Sequence, residues 1–143
     1  RLGGDRLVPC HRDFMSRNLI PLGESVAVID FQDLRLGPPA YDLASLLNDS
    51  FFPEPALEDL LVPERWQAGE AYEQYARAVV QRTLKAAGTF ARFAAQGNPR
   101  HVPLIVPTLA RAVRHLEALP ETGGAFRPLR GWWLSQLGSG AVC

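Results

Sequence analysis

Cysteine is scarce in this chain. Cys10 and Cys143 are the only two among 143 residues, so no disulfide framework organises the fold. Cys10 adjoins His11, but neighbours on an extended segment point to opposite faces, which favours a buried structural thiol over a thiol–imidazole pair. An excess of either charge is also missing, because Lys plus Arg and Asp plus Glu each number 15. That balance argues against nucleic acid or an anionic membrane surface as a partner. No apolar run approaches the ~20 residues that span a bilayer, and no charged-then-apolar leader opens the chain. These features point to a cytoplasmic protein. Lysine is nearly absent: Lys85 stands alone inside a helical pattern, and no G-x-x-x-x-G-K segment exists. Internal repeats and low-complexity segments are lacking too.

What is present suits one soluble globular domain, residues 1–143, with 47% hydrophobic and 21% charged residues. Val26 to Ile29 form a short apolar run bounded by Gly23 and Ser25, the pattern of a buried strand that delivers Asp30 at its end. Leu7-Val8 and Leu19-Ile20 are weaker strand candidates. Asp13 and Asn18 then fall on a loop held between strands, a common position for reactive groups. Leu34 to Gly37 reads as a connection. Pro38-Pro39 precedes an amphipathic helix ending near Asp49, with Asp42 in its first turn, where a carboxylate favours the helix dipole.

Residues 51–63 carry three prolines and suit an irregular segment with a short helix near Leu57 to Leu61. From Arg65 to Gln96 apolar residues recur at three and four, giving one amphipathic helix or a pair broken near Val80. Gly88 lies within that pattern, for close packing or for a bend. Gln81, Arg82 and Arg92 fall partly off the apolar stripe and read either as solvated surface or as functional groups. Gly97-Asn98-Pro99 stops the helix, and a further helix is expected to start around Pro107. Phe126 to Leu137, with Trp132 and Trp133, reads as a closing helix. The fold class is α+β, mostly helical, with a small β portion carrying the site.

Asp13, Asn18 and Asp30 are the candidate reactive groups. A carboxylate, a carboxamide and a second carboxylate offer a group to orient an attacking hydroxyl and hard oxygen ligands for Mg²⁺ on nucleotide phosphates. His11-Arg12-Asp13 with Asn18 resembles the catalytic loop H-x-D-x-x-x-x-N of protein-kinase-like phosphotransferases, and Ile29-Asp30-Phe31 resembles their metal-binding segment. Gln32-Asp33 and the run from Gly37 to Asp49 are more similar to the aminoglycoside phosphotransferase and choline kinase branch. Gln81 to Arg92 resembles a helix of bacterial kinases that phosphorylate N-acetylmuramate and N-acetylglucosamine at the anomeric hydroxyl.

The resemblance implies a protein-kinase-like C-terminal lobe using ATP and Mg²⁺ to phosphorylate a small-molecule hydroxyl. It makes Asp13 the catalytic residue, Asn18 and Asp30 the metal ligands, and His11 and Asp42 structural supports. In the family, the residue matching Asp42 accepts hydrogen bonds from the catalytic-loop backbone. Gln32, Asp33, Gln81 and Arg82 become possible substrate or supporting residues. Arg12, at a variable position, receives no role. The glycine-rich loop and phosphate-binding lysine of the family's first lobe have no counterpart here. The chain thus reads as the second lobe of a larger kinase, inactive by itself and with strand edges open to self-association. Aminoglycosides and choline remain alternative acceptors, the latter through an aromatic cage of Trp66, Tyr72 and Trp132. A non-catalytic binding lobe is the reading from another class. A metal-dependent phosphoesterase on His11 and Asp13 is weak, because such sites recruit several histidines.

Overall fold

The computed structural model describes residues 7–49, 55–119 and 131. They are mostly helical, with two small two-stranded sheets. The chain divides into two compact units, one ending at Arg82 and one beginning at Thr83.

In the first unit, β1 (Val8–Cys10) pairs antiparallel with β4 (Arg35–Gly37), Val8 facing Gly37. Residues 34–37 are therefore not simply a connection: three residues are too few to display alternation, and the partner strand creates the element. Gly37 packs tightly against Cys10. A Cβ built there would lie 3.1 Å from Cys10 Sγ, and the buried thiol donates to Pro38 O at 3.3 Å.

Between these strands lies a hairpin, β2 (Leu19–Leu22) and β3 (Ser25–Val28), paired from Leu19–Val28 to Leu22–Ser25. Gly23 opens its two-residue turn at φ 61°, a conformation that costs glycine little. The expectation of a buried strand is overturned here: Val26 is 57% exposed, and Val28 and Ile29 are exposed as well. An apolar run looks the same whether or not a layer covers it. Asp30 lies two residues beyond the strand end.

Helix α1 (Tyr41–Leu47) begins after Pro38-Pro39, with Asp42 in its first turn. Helix α2 (Pro55–Leu61) follows, and α3 (Gly69–Ala95) runs unbroken through Val80 as a single helix of 27 residues. The core gathers Cys10 from β1, Tyr41, Ala44 and Leu47 from α1, and Tyr75, Ala78 and Val79 from α3. Glu58 of α2 is buried, and its Oε1 accepts the Tyr75 hydroxyl proton at 2.8 Å, tying α2 to α3 without leaving that phenol unsatisfied.

In the second unit, α3 ends at a glycine-based cap. Gly97 takes φ 86°, its N–H reaches Ala94 O, and Asn98 N–H reaches Phe93 O. A 3-10 turn, Pro99–Leu104, leads into α4 (Ile105–Glu117), with Pro107 in the first turn, where proline is tolerated. His101 stacks on Phe90 with ring centroids 5.3 Å apart. His115 is buried on α4. A Cβ at Gly88 would meet nothing within 4 Å, so close packing is not its reason. The closing helix with Trp132 and Trp133, Trp132 as a cage residue and Cys143 lie outside the described residues.

Candidate active site

The loop after β1 is tied down from two directions. Both oxygens of Asp42 accept consecutive backbone amides, His11 N at 2.7 Å and Arg12 N at 3.0 Å. A single carboxylate thus fixes the path of the chain just before Asp13. Charge-assisted bonds of this kind are worth about 1.5–3 kcal/mol each. They offset a local cost, because Arg12 sits at φ 72°, a left-handed conformation that strains a non-glycine residue by about 1–3 kcal/mol.

The second tie is the His11 ring. Its Nε2 lies 2.8 Å from Ile29 O, and a carbonyl can only accept, so Nε2 carries the proton. The ring is buried, with Nδ1 finding no hydrogen-bond partner among the described residues and Phe14 edge-on at 5.9 Å. His11 therefore links the loop to the residue before Asp30.

Asn18 ends a 3-10 turn, Ser16–Asn18, that leads directly into β2. It is buried, and its Nδ2 donates to Asp13 O at 2.8 Å. With the amide nitrogen committed there, the carboxamide oxygen is the side to offer elsewhere, and it makes no hydrogen bond among the described residues. Asn18 O in turn accepts Ile29 N at 3.0 Å, so Asn18 and Asp30 flank the same end of the hairpin. Asp30 is exposed and left-handed at φ 67°, and Gln32 Nε2 donates to its Oδ1.

The chemistry of these donors fits a hard cation. A carboxamide oxygen and a carboxylate are the ligand types magnesium takes. Among the described residues no group of three or more His, Cys, Asp or Glu could hold a metal ion. Two protein oxygens would leave most of a magnesium shell to other oxygen ligands.

The remaining sequence candidates scatter. Asp33 is exposed in the turn closed by Leu34 N to Phe31 O. Gln81 and Arg92 are exposed on α3. Arg82 is not solvated surface: it is 6% exposed, and its Nε donates to Ser45 Oγ of α1 at 2.9 Å. The signal was available, since Arg82 stands seven residues after Tyr75 and three after Val79, on the buried stripe. Sequence reasoning also missed Ser45 itself, and Ser16, whose hydroxyl reaches Asp49 Oδ2 at 3.1 Å.

Electrostatics around α1 follow from burial. Burial raises the Tyr41 hydroxyl above its usual 10.0; Arg82 and Arg12 oppose this, while Asp13 and Asp42 reinforce it. Tyr41 thus shares its surroundings with the charges of the loop after β1. Burial likewise raises Cys10 above 9.0, with Asp42 reinforcing and a hydrogen bond from the Gly37 backbone opposing.

Comparison with known proteins adds an independent line. The model of the phosphotransferase enzyme family matches residues 2–78, just over half of the chain. An N-acetylmuramate/N-acetylglucosamine kinase of Pseudomonas putida is 37% identical over 138 residues, covering 84% of this chain and 40% of its own length. Kinases of the same name from Neisseria meningitidis and Pseudomonas aeruginosa are 40% and 36% identical, over 66% and 79% of this chain. The chain spans 40% or less of the length of these curated relatives. The matched stretch contains the loop, the hairpin and the Asp42 brace together: this chain belongs to the phosphotransferase enzyme family.

Proposed function

We propose that this chain is the C-terminal, acceptor-side lobe of an ATP-dependent phosphotransferase that acts on the hydroxyl of an amino sugar of the N-acetylmuramate or N-acetylglucosamine type. The observation that carries the reading is the clamped loop, in which Asp42, His11 and Asn18 between them fix the backbone on both sides of Asp13. The amino-sugar acceptor is supported by the names of the relatives.

Asp13 accepts a hydrogen bond from the acceptor hydroxyl and aims its oxygen at the γ-phosphorus. A loose phosphoryl transition state asks for alignment more than for early proton removal, so a backbone fixed on both sides is the useful property. The Asn18 oxygen and the Asp30 carboxylate would hold Mg²⁺, which neutralises charge on the nucleotide phosphates when bound. Gln32 holds the Asp30 carboxylate by its amide. Asp33 and Gln81, both exposed, are the groups left to meet acceptor hydroxyls.

The nucleotide-binding lobe would lie in sequence beyond this chain. Two observations support that: the chain spans 40% or less of its relatives' length, and the hairpin and its exit expose Ile20, Leu22, Val26, Val28, Ile29 and Phe31. Without a covering layer such a surface favours self-association. No helix among the described residues is long and apolar enough to cross a membrane. Use of ATP places the enzyme in the cytoplasm. A choline-type acceptor is less well supported, because the Trp66 ring already carries the Arg65 guanidinium at 4.7 Å from its centroid.

The deciding assay is ADP release with ATP and Mg²⁺ against N-acetylmuramate, N-acetylglucosamine, kanamycin and choline. It is run on this chain and on any longer protein encoded in frame with it. Turnover with an amino sugar in the longer protein alone supports the two-lobe reading. Nucleotide binding without turnover in either would replace it with a non-catalytic lobe.

A further inference from the structure

Arg82 is a buried cation whose position space-filling alone does not explain. Its Nε donates to Ser45 Oγ, Ser45 is fully buried, and among the described residues the guanidinium makes no ion pair. Burying a charge for one neutral hydrogen bond is an expensive way to fill space, and leucine or methionine would fill it at lower cost. What an apolar side chain lacks is a directed donor.

Ser45 lies three residues after Asp42 on α1, on the same side of the helix one turn on. Asp42 is the group whose two oxygens hold the amides of His11 and Arg12. A path of directed bonds therefore runs from α3 through Arg82 and Ser45 into α1, and from Asp42 into the loop that carries Asp13. Seven residues make α1 a short helix, less than two turns, with no side-chain hydrogen bond at its N-cap. A helix of that length has little rigidity of its own.

We infer that Arg82 is a positioning residue: by hydrogen-bonding Ser45 it fixes the rotation of α1 and so holds Asp42 where it can brace the loop around Asp13. The inference rests on the phosphotransferase reading for its catalytic consequence but not for its structural one. It also removes Arg82 from the groups that meet the acceptor, because the side chain is buried and its Nε is engaged by Ser45. The surroundings of Tyr41, which feels both Arg82 and the charges of Arg12, Asp13 and Asp42, are those expected of one connected site.

Two measurements test this on Arg82→Leu, Arg82→Lys, Ser45→Ala and the Leu/Ala double variant. The first is amide hydrogen exchange of the 143-residue chain. His11 and Arg12 amides should exchange about tenfold faster in Arg82→Leu and Ser45→Ala, while the hairpin amides of β2 and β3 keep their rates. The second is steady-state kinetics of the protein that turns over. The kcat should fall roughly tenfold to a hundredfold, with KM for ATP and acceptor within about twofold of wild type. Lysine should restore part of the loss, and the double variant should be no worse than the poorer single one. Unchanged exchange at His11 and Arg12 would overturn the inference. So would a rise in acceptor KM with kcat preserved, which would return the guanidinium to the acceptor. If Arg82→Leu fails to fold, Ser45→Ala carries both arms. Should wild type show no turnover, the phosphotransferase reading falls while the exchange measurement still decides the brace.

Discussion

Replacing Asp42 tests the brace most directly. In Asp42→Ala the amides of His11 and Arg12 lose both acceptors, at 2.7 and 3.0 Å. Two charge-assisted bonds at about 1.5–3 kcal/mol each give a gross loss of roughly 3–6 kcal/mol. Arg12 can then leave its left-handed conformation, which returns about 1–3 kcal/mol. At mid-range values the net destabilisation is about 2–3 kcal/mol, and Tm should drop by roughly 10 °C for a chain of this size. Asp42→Asn separates acceptor count from shape. Its oxygen can serve one amide, but its NH₂ then faces the other, donor against donor, so it should lie closer to alanine than to wild type. Urea unfolding followed by far-UV circular dichroism gives both free energies, and the m-value checks that the unfolded states are comparable. A Tm within 2 °C of wild type for either variant would refute the reasoning, because it would mean that water replaces the carboxylate without loss.

Gly37→Ala should cost about 1–3 kcal/mol, because the new methyl meets Cys10 Sγ at 3.1 Å; combined with Cys10→Ala it should cost clearly less than the sum, by the same unfolding assay. Cys10 and Tyr41 are acids held neutral by burial, with folded values above 9.0 and 10.0. A raised folded value gives stability that is complete below the unfolded value and lost as pH rises through the folded one. Unfolding free energy should therefore be insensitive to these two groups near neutrality and fall above about pH 9. Urea midpoints between pH 7 and 11 should flatten in the Cys10→Ala and Tyr41→Phe double variant. Asp13→Asn and Asp30→Asn should each remove nearly all phosphoryl transfer in the active protein. Wild-type turnover by Asp30→Asn would end the metal assignment, as would unchanged Mn²⁺ affinity in the presence of nucleotide by paramagnetic resonance.

Long-range partners mark the boundary of what the residues alone disclosed. The apolar period located α3, and Gly97-Asn98 located its end, because helix spacing and glycine's left-handed tolerance are local properties. The strand of Arg35 to Gly37 was invisible, since only β1, about a fifth of the chain away, makes it a strand. Exposure of Val26 and Val28 was misread for a related reason: the run reports affinity for a layer, not its presence. Spacing put His11, Asp13 and Asn18 on one loop, and the structure has them there. Arg82 was misjudged because its charge outweighed its position, although three- and seven-residue spacing from Val79 and Tyr75 puts it on the buried face.

The hairpin has a consequence for how this region can change in length. Apolar side chains stand on both of its faces, Leu19, Val26 and Val28 on one and Ile20, Ala27 and Leu22 on the other, so burial does little to penalise a slip. What sets the alignment is the Gly23 turn at one end and the Ile29 N to Asn18 O bond at the other. A single residue inserted between Ser25 and Val28 would shift the Leu19–Val28 register by one and displace the Ile29 N to Asn18 O bond that precedes Asp30, while leaving a strand of ordinary composition. Insertions and deletions inside β3 should therefore be tolerated in twos and not in ones, whereas the turn at Gly23-Glu24 can lengthen freely.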